Sequence, residues 1–463
     1  MGRLAEGAAS DNAPGAIAAA VAFSLTLPVA LCCACPYPED WDGGGFALAS
    51  QGVDLAAFRP HPPGYPAYLA VARVAGAVGC SPALAAVWLS RASALGLALF
   101  AAGLAALAPS RRRPWERGAC ATAVTLGFPG LFRLGTSVGP AALSLGGLAL
   151  GLAAMRARPS AHAVHALLFG LSLSARPTDA APILACAGAL FGLRALRPWA
   201  LGTAVAAVAH APFMVAAGPR GFLALCLTHF SGHLSRWGSS VSDPLTAHLR
   251  AIGGFVAESN ALVGCVLGLV LAALAASSLG EGGRREAIRV AAGAMACEGW
   301  VLWMQPPAVE RHLAWLVFLC ALGLLRVMLG AGTNTRLAVW ALCGIGAVTA
   351  VMTARERRAV PPAGVQIARW LPRDGALFAG RSARDAQVQG LGGAYEVVYF
   401  GEVRATLERL PRLPVSVWVT GEVRGARWGD SPGFLRGARR VCGPRSARGE
   451  DPCLRVGRLE VIE

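Results

Sequence analysis

Lysine is absent from this 463-residue chain, and all 42 of its basic residues are arginine. Charge of any sign is scarce, at 15% of residues against 55% hydrophobic, and the mean hydropathy is positive. The formal net charge of +16 would suit a nucleic-acid partner, but no basic face with interleaved aromatics accompanies it, so no nucleic acid is expected. Many arginines fall in short loops between apolar runs, where cytoplasmic positive charge orients membrane spans. The thirteen cysteines show no metal-ligand spacing, and most sit inside apolar runs as small core residues. Internal repeats and midplane charges are also missing, which argues against a transporter or flippase built from repeated halves.

What the chain does have is a succession of apolar stretches, of which each bilayer crossing needs about 20 residues. Only helices or closed barrels satisfy their backbone in lipid, and continuous Ala/Leu/Gly/Val runs read as helices. The expected fold is therefore mainly α, a polytopic membrane helix bundle of about eleven spans. Arg111, Arg112, Arg113 and Arg117 form the strongest short-loop cluster and fix that loop in the cytoplasm. Counting outward, residues 15–35 form an uncleaved first span, 36–82 an exported loop with an interfacial helix from Gly64 to Cys80, and 83–108 a long span. Further spans are read near 118–134, 139–155, 161–175, 180–193, 198–217, 260–278, 288–304, 311–329 and 337–354, with a second exported loop at 218–259. Residues 1–354 make the membrane domain. One observation opposes the ladder: Arg355, Arg357 and Arg358 follow the last span, on the side read as exported.

The tail, 355–463, changes character. Strand-like runs at 376–380, 396–400 and 415–420 alternate with helix-like segments at 365–371 and 403–410, suggesting a small soluble α/β domain with a parallel sheet. Gly, Arg and Pro punctuation after Gly421 reads as a loop-rich end. Cys442 and Cys453 lie in this tail and can pair if it is exported.

Candidate chemistry concentrates after the first span. Glu39, Asp40 and Asp42 form an acidic cluster around Trp41, followed by Gly43-Gly44-Gly45, which would allow close approach. A carboxylate at a membrane surface can deprotonate an acceptor hydroxyl as it attacks a lipid-bound donor. Asp42 is the first candidate for that base; Asp40 or Glu39 can also serve, or ligate a divalent cation with it. A solvated acidic loop is the plainer reading. Behind it runs Arg59-Pro-His-Pro-Pro-Gly-Tyr-Pro66, whose prolines fix the backbone and present Arg59, His61 and Tyr65. Arg59 and His61 suit a departing phosphate. His162, His165, His210, His229, His233 and His248 have no paired spacing and receive no ligand role, and Arg176 with Asp179 reads as a local ion pair.

Trp41-Asp42, Phe46-Ala-Leu-Ala49, Val53-Asp-Leu55 and Arg59-Pro-His-Pro-Pro-Gly-Tyr-Pro-Ala-Tyr68 together resemble the first exported loop of bacterial GT-C glycosyltransferases. The resemblance is nearest to relatives of protein O-mannosyltransferases and aminoarabinose transferases. It implies an integral protein of the bacterial inner membrane that moves a sugar, with inversion, from a polyprenyl-phosphate donor to a hydroxyl of a glycan, lipid or protein acceptor. Asp42 would be the catalytic base, Asp40 an auxiliary carboxylate, Trp41 and Tyr65 substrate contacts, and Arg59 and His61 donor-phosphate ligands. Thr228-His-Phe-Ser231 and Gln305-Pro-Pro-Ala-Val-Glu-Arg-His-Leu313 match later segments loosely, which adds Arg311 and His312 at the donor phosphate. The chain departs from the pattern at Gly135-Thr-Ser-Val-Gly-Pro140, where relatives often carry a glutamate. The alternatives are a catalytically inactive scaffold, or a transporter or flippase of a lipid-linked saccharide.

Overall fold

The computed structural model describes residues 12–39, 41–108, 112–235, 246, 314–330, 333–362, 365–366, 376–378, 388–389, 417–420, 435–442 and 453–459. Within them the chain is mainly helical. Helix α1 (Asn12–Cys33) is followed by α2 (Trp41–Leu48), α3 (Pro66–Ala77), α4 (Pro82–Leu107), α5 (Pro114–Gly127), α6 (Pro129–Thr136) and α7 (Ala141–Ala157). Then come α8 (His162–Ala175), α9 (Ala180–Phe191), α10 (Leu196–Ala217), α11 (Pro219–Ser235), α12 (Ala314–Gly330) and α13 (Thr333–Ala359). Five of these begin on a proline, at Pro66, Pro82, Pro114, Pro129 and Pro219, where the missing N–H has no intrahelical partner to lose.

Four described helices are long and apolar enough to cross a bilayer, or five if the bent pair α6–α7, turned by 109°, counts as one span. The stretch read as one span at 118–134 is instead two helices broken at Phe128-Pro129, because proline disfavours helical geometry in the residue before it. The stretch read as a second exported loop holds a 17-residue helix, α11. The runs at 260–278 and 288–304 lie outside the described residues.

The core is built on close approach of small residues. Helix α4 packs along α7, and α1 lies against α4 and α5. A Cβ added at Gly96 would meet the backbone of Ala142 and Leu143, and one at Gly146 would meet Gly96. Glycine is what lets these two helices touch, the packing mode membrane helices use where burial offers no drive of its own.

The bundle has two chemically different ends. At one, Arg117 donates to the Pro14 carbonyl at the start of α1, Arg112 to Leu329 at the end of α12, and Arg156 to Leu107 at the end of α4. At the other end lie α2, the proline-rich loop, the α6–α7 turn and the end of α13. Arg358 there donates to the Cys32 carbonyl at 2.6 Å, so the arginines after the last span share a face with the acidic loop. Val388, from the tail, is fully buried in the apolar cluster of that same end, among Phe46, Tyr65, Tyr68, Leu143 and Ala175.

In the tail, β1 (Ala376–Phe378), β2 (Val417–Thr420), β3 (Leu435–Cys442) and β4 (Cys453–Leu459) form one sheet in the order β1-β2-β4-β3. Only β1 and β2 run parallel; β4 is antiparallel to both its neighbours. The sheet is thus mixed rather than parallel, and the end read as loop-rich supplies two strands. Cys442 and Cys453 are register partners at the close of the β3–β4 ladder. The strand expected at 396–400 and the helix at 403–410 lie outside the described residues.

Candidate active site

Helix α2 is a poor helix by composition. Three consecutive glycines cost roughly 1 kcal/mol each relative to alanine, so tertiary packing must hold it. Phe46 supplies that hold: it is 1% exposed and meets Tyr65 and Tyr68 edge-on, at centroid distances of 5.1 and 5.2 Å. Tyr68 is anchored in turn by donating to the Leu89 carbonyl at 3.0 Å. The glycines expected to open the site to substrate are themselves buried within this helix. Asp42 stands in the first turn of α2 and reaches the loop behind it. A carboxylate in the first turn is favoured by the helix dipole.

The proline-rich loop is pinned at its start by Asp54, whose Oδ1 accepts from the backbone of Ala56 and Ala57 at 3.0 Å. The Asp54 and Arg59 backbones then pair as an isolated bridge. Between them Phe58 holds φ at +55°, a sparsely populated conformation for a bulky residue. His61 emerges with Nε2 3.6 Å from Asp42 Oδ1, the two side chains being 13% and 19% exposed. His61 Nδ1 lies 3.1 Å from the Pro62 carbonyl, which can only accept, so Nδ1 carries a hydrogen. The Tyr65 hydroxyl sits 3.0 Å from each ring nitrogen and can donate to Nε2. Nε2 is thus the ring nitrogen nearest Asp42, and the Tyr65 hydroxyl stands beside it.

The His61 ring is stacked on His229 of α11, with centroids 4.6 Å apart and planes 13° from parallel. His229 had received no role from spacing alone, since the two rings are far apart in sequence. Arg59 is half-buried and, among the described residues, its guanidinium has no hydrogen-bond or ion-pair partner.

Glu39 behaves differently from Asp42. Arg357 Nη1 donates to both its carboxylate oxygens at 2.8 Å, Ser137 donates to Oε2 at 2.6 Å, and Arg133 lies 3.8 Å away. Arg357 also donates to Ser137 and Thr136. Burial pushes the Glu39 carboxyl up, but Arg357, then Arg133, and the bonds from Ser137 and Arg357 outweigh it and leave it below the usual carboxylate range. The α6–α7 turn that lacks a glutamate of its own therefore receives a carboxylate in space from Glu39. Beside it, burial and then the Glu39 charge push the Cys35 thiol up to about 12, so it stays protonated.

Arg176 and Asp179 form the expected local pair at 3.1 Å, and Ser144 adds a bond to Asp179 at 3.0 Å. Asp40, Arg311 and His312 lie outside the described residues, and Trp41 is placed only as the first residue of α2. Among the described residues no group of three or more His, Cys, Asp or Glu side chains is arranged to hold a metal ion.

No family model matches the chain, and no curated protein matches it significantly. Solved structures do share its fold. The apo crystal structure of ArnT from Cupriavidus metallidurans superposes with a TM-score of 0.56 over 95% of this chain and 97% of its own, at 13% identity. The structure of the same protein bound to undecaprenyl phosphate matches equally well. The chain therefore has an ArnT-like membrane fold over nearly its whole length.

Proposed function

We propose that this protein is a GT-C-type glycosyltransferase that moves one sugar from a polyprenyl phosphate to an acceptor hydroxyl at the exported face of the bacterial inner membrane. The observation that carries the reading is the Asp42–His61 pair, 3.6 Å apart, at one end of a fold shared with a protein crystallised with undecaprenyl phosphate. The Asp42 carboxylate takes the proton from the acceptor hydroxyl as its oxygen attacks the anomeric carbon. The bond from that carbon to the phosphate oxygen breaks, the configuration inverts, and the polyprenyl phosphate leaves with its negative charge. His61 Nε2 then receives the proton from Asp42. The Arg59 guanidinium neutralises the leaving phosphate. Arg311 and His312 would join it there, with Asp40 as auxiliary carboxylate and Trp41 and Tyr65 as substrate contacts.

The finer topology belongs to the same proposal: about eleven spans over residues 1–354, and residues 355–463 as an exported α/β domain. Arg358 on Cys32, and Val388 in the apolar cluster that includes Phe46, support a tail on the face of the acidic loop. In an oxidising compartment Cys442 and Cys453, as register partners, would then form a disulfide. Free thiols at both positions in protein taken directly from the source membrane would argue against export.

The main test is mass spectrometry of envelope glycans, lipids and glycoproteins in wild type, in a deletion, and in the deletion carrying Asp42→Asn at normal abundance. Loss of a defined sugar mass that Asp42→Asn fails to restore supports the transferase and identifies its acceptor. Full restoration by Asp42→Asn removes Asp42 as the base and favours the scaffold or transport reading.

A further inference from the structure

Helix α11 is divided lengthwise. Leu223, Leu227 and Phe230 are exposed at 58%, 57% and 46%, while Phe222, Leu225, Cys226 and His229 on the other side are partly buried. The first set recurs at helical spacing as an apolar stripe suited to lipid. The second faces the protein, and His229 is its contact with the active-site loop.

The His61 ring is held on several sides by rings of different elements. Tyr65 meets it edge-on at 4.8 Å and 87°, Phe46 lies tilted at 6.3 Å, and His229 covers a face at 4.6 Å. Phe58, the residue with positive φ, packs on His229 at 6.0 Å. Imidazole can rotate about its χ2 bond by half a turn, which would carry Nε2 away from Asp42. A parallel ring against its face hinders that rotation.

We propose that His229 is a positioning residue for the Asp42–His61 pair. Its ring clamps His61 so that Nε2 stays directed at the carboxylate, and α11, seated against lipid on its far side, sets where the clamp stands. His229 acts through His61 and touches no reacting atom. The inference rests on the reading of Asp42 and His61 as the proton-transfer pair, and its test is separable from that reading.

The test uses the full chain, labelled with ¹³C,¹⁵N-histidine, in lipid nanodiscs, with His61 assigned through His61→Gln. His229→Ala should split or shift the His61 ring resonances, and His229→Phe, which keeps an aromatic face, should return them to the wild-type position. In the deletion strain, the sugar mass restored should fall about 3- to 10-fold with His229→Ala, the scale of one aromatic pair, and recover with His229→Phe. Unchanged His61 resonances in His229→Ala would overturn the clamp. So would His229→Phe behaving like His229→Ala at equal folded abundance, because a ring nitrogen and not the stacked face would then matter. If Asp42→Asn restores the sugar mass fully, the base assignment falls, while the resonances still report on the stack.

Discussion

Glu39 and Asp42 are three residues apart in the sequence and have opposite surroundings. Glu39 is saturated: two guanidinium bonds from Arg357, a hydroxyl bond from Ser137, and Arg133 nearby. Asp42 faces a histidine at 3.6 Å that can carry either a proton or a lone pair toward it. A carboxylate locked between cations is a weak base, because protonating it breaks the pairs that hold it. One beside a titratable imidazole can take a proton and pass it on. The difference teaches that, within one acidic cluster, partners and not position divide a carboxylate locked in ion pairs from one proposed to react. It also accounts for the arginine that disagreed with the charge ladder: Arg357 stands at the acidic end because Glu39 is its counter-ion.

The comparison breaks most visibly at Asp42. Asp42→Asn should lower sugar transfer by about 10²- to 10⁴-fold, the usual contribution of a positioned base, while the thermal midpoint of the purified protein hardly moves. Glu39→Gln should do the reverse. Removing one partner of a buried pair leaves the other charge unpaired and costs about 3–5 kcal/mol, so the midpoint falls while transfer per folded molecule persists. Were Glu39→Gln to fold normally and lose transfer as fully as Asp42→Asn, the division between the two carboxylates would be wrong.

The same pair carries a pH signature. The Glu39 carboxyl is held below its unfolded value of about 4.3. Its contribution to stability is therefore complete above that value and is lost as pH falls through the lower folded value. Wild type should show this loss in acid, and Glu39→Gln, measured in the same detergent, should show a flatter profile below about pH 4.3.

That Asp42 and the loop from Arg59 to Pro66 lie together was legible in the sequence because the signals are local: carboxylates beside glycines, and prolines that fix their own backbone. The Glu39–Arg357 pair was not, since it joins positions 318 apart and nothing in either segment names the other. His229 failed for the same reason, its partner being a ring on a distant loop. Helix α2 was hidden because three glycines argue against a helix that Phe46 nevertheless secures from outside. The strands β3 and β4 were missed because alternating arginines and glycines resemble loop punctuation when cross-strand pairing is invisible. Apart from α2, helix positions from α1 to α10 followed hydropathy closely, except where Pro129 breaks one apolar run into two helices.

Smaller effects sharpen the comparison. Tyr65→Phe removes one hydroxyl from His61 and leaves the edge-on ring contact, so it should cost about 1 kcal/mol, the net worth of a hydrogen bond. That corresponds to roughly a fivefold fall in transfer, with the thermal midpoint almost unchanged.

The smallest effect is expected at Arg133, which shares Glu39 with Arg357 on different terms. Arg357 is 6% exposed and bonds both carboxylate oxygens, whereas Arg133 is 27% exposed and stands 3.8 Å from one of them. Water can reach Arg133 and screen it, and a long, partly solvated pair is worth about 0–1 kcal/mol. Arg133→Gln should therefore shift the midpoint far less than Arg357→Gln, with both variants measured in the same detergent and at the same pH. Near-equal losses would mean that Glu39 needs the summed charge of both guanidiniums. The bond geometry of Arg357 would then not be what holds the carboxylate away from acid–base work.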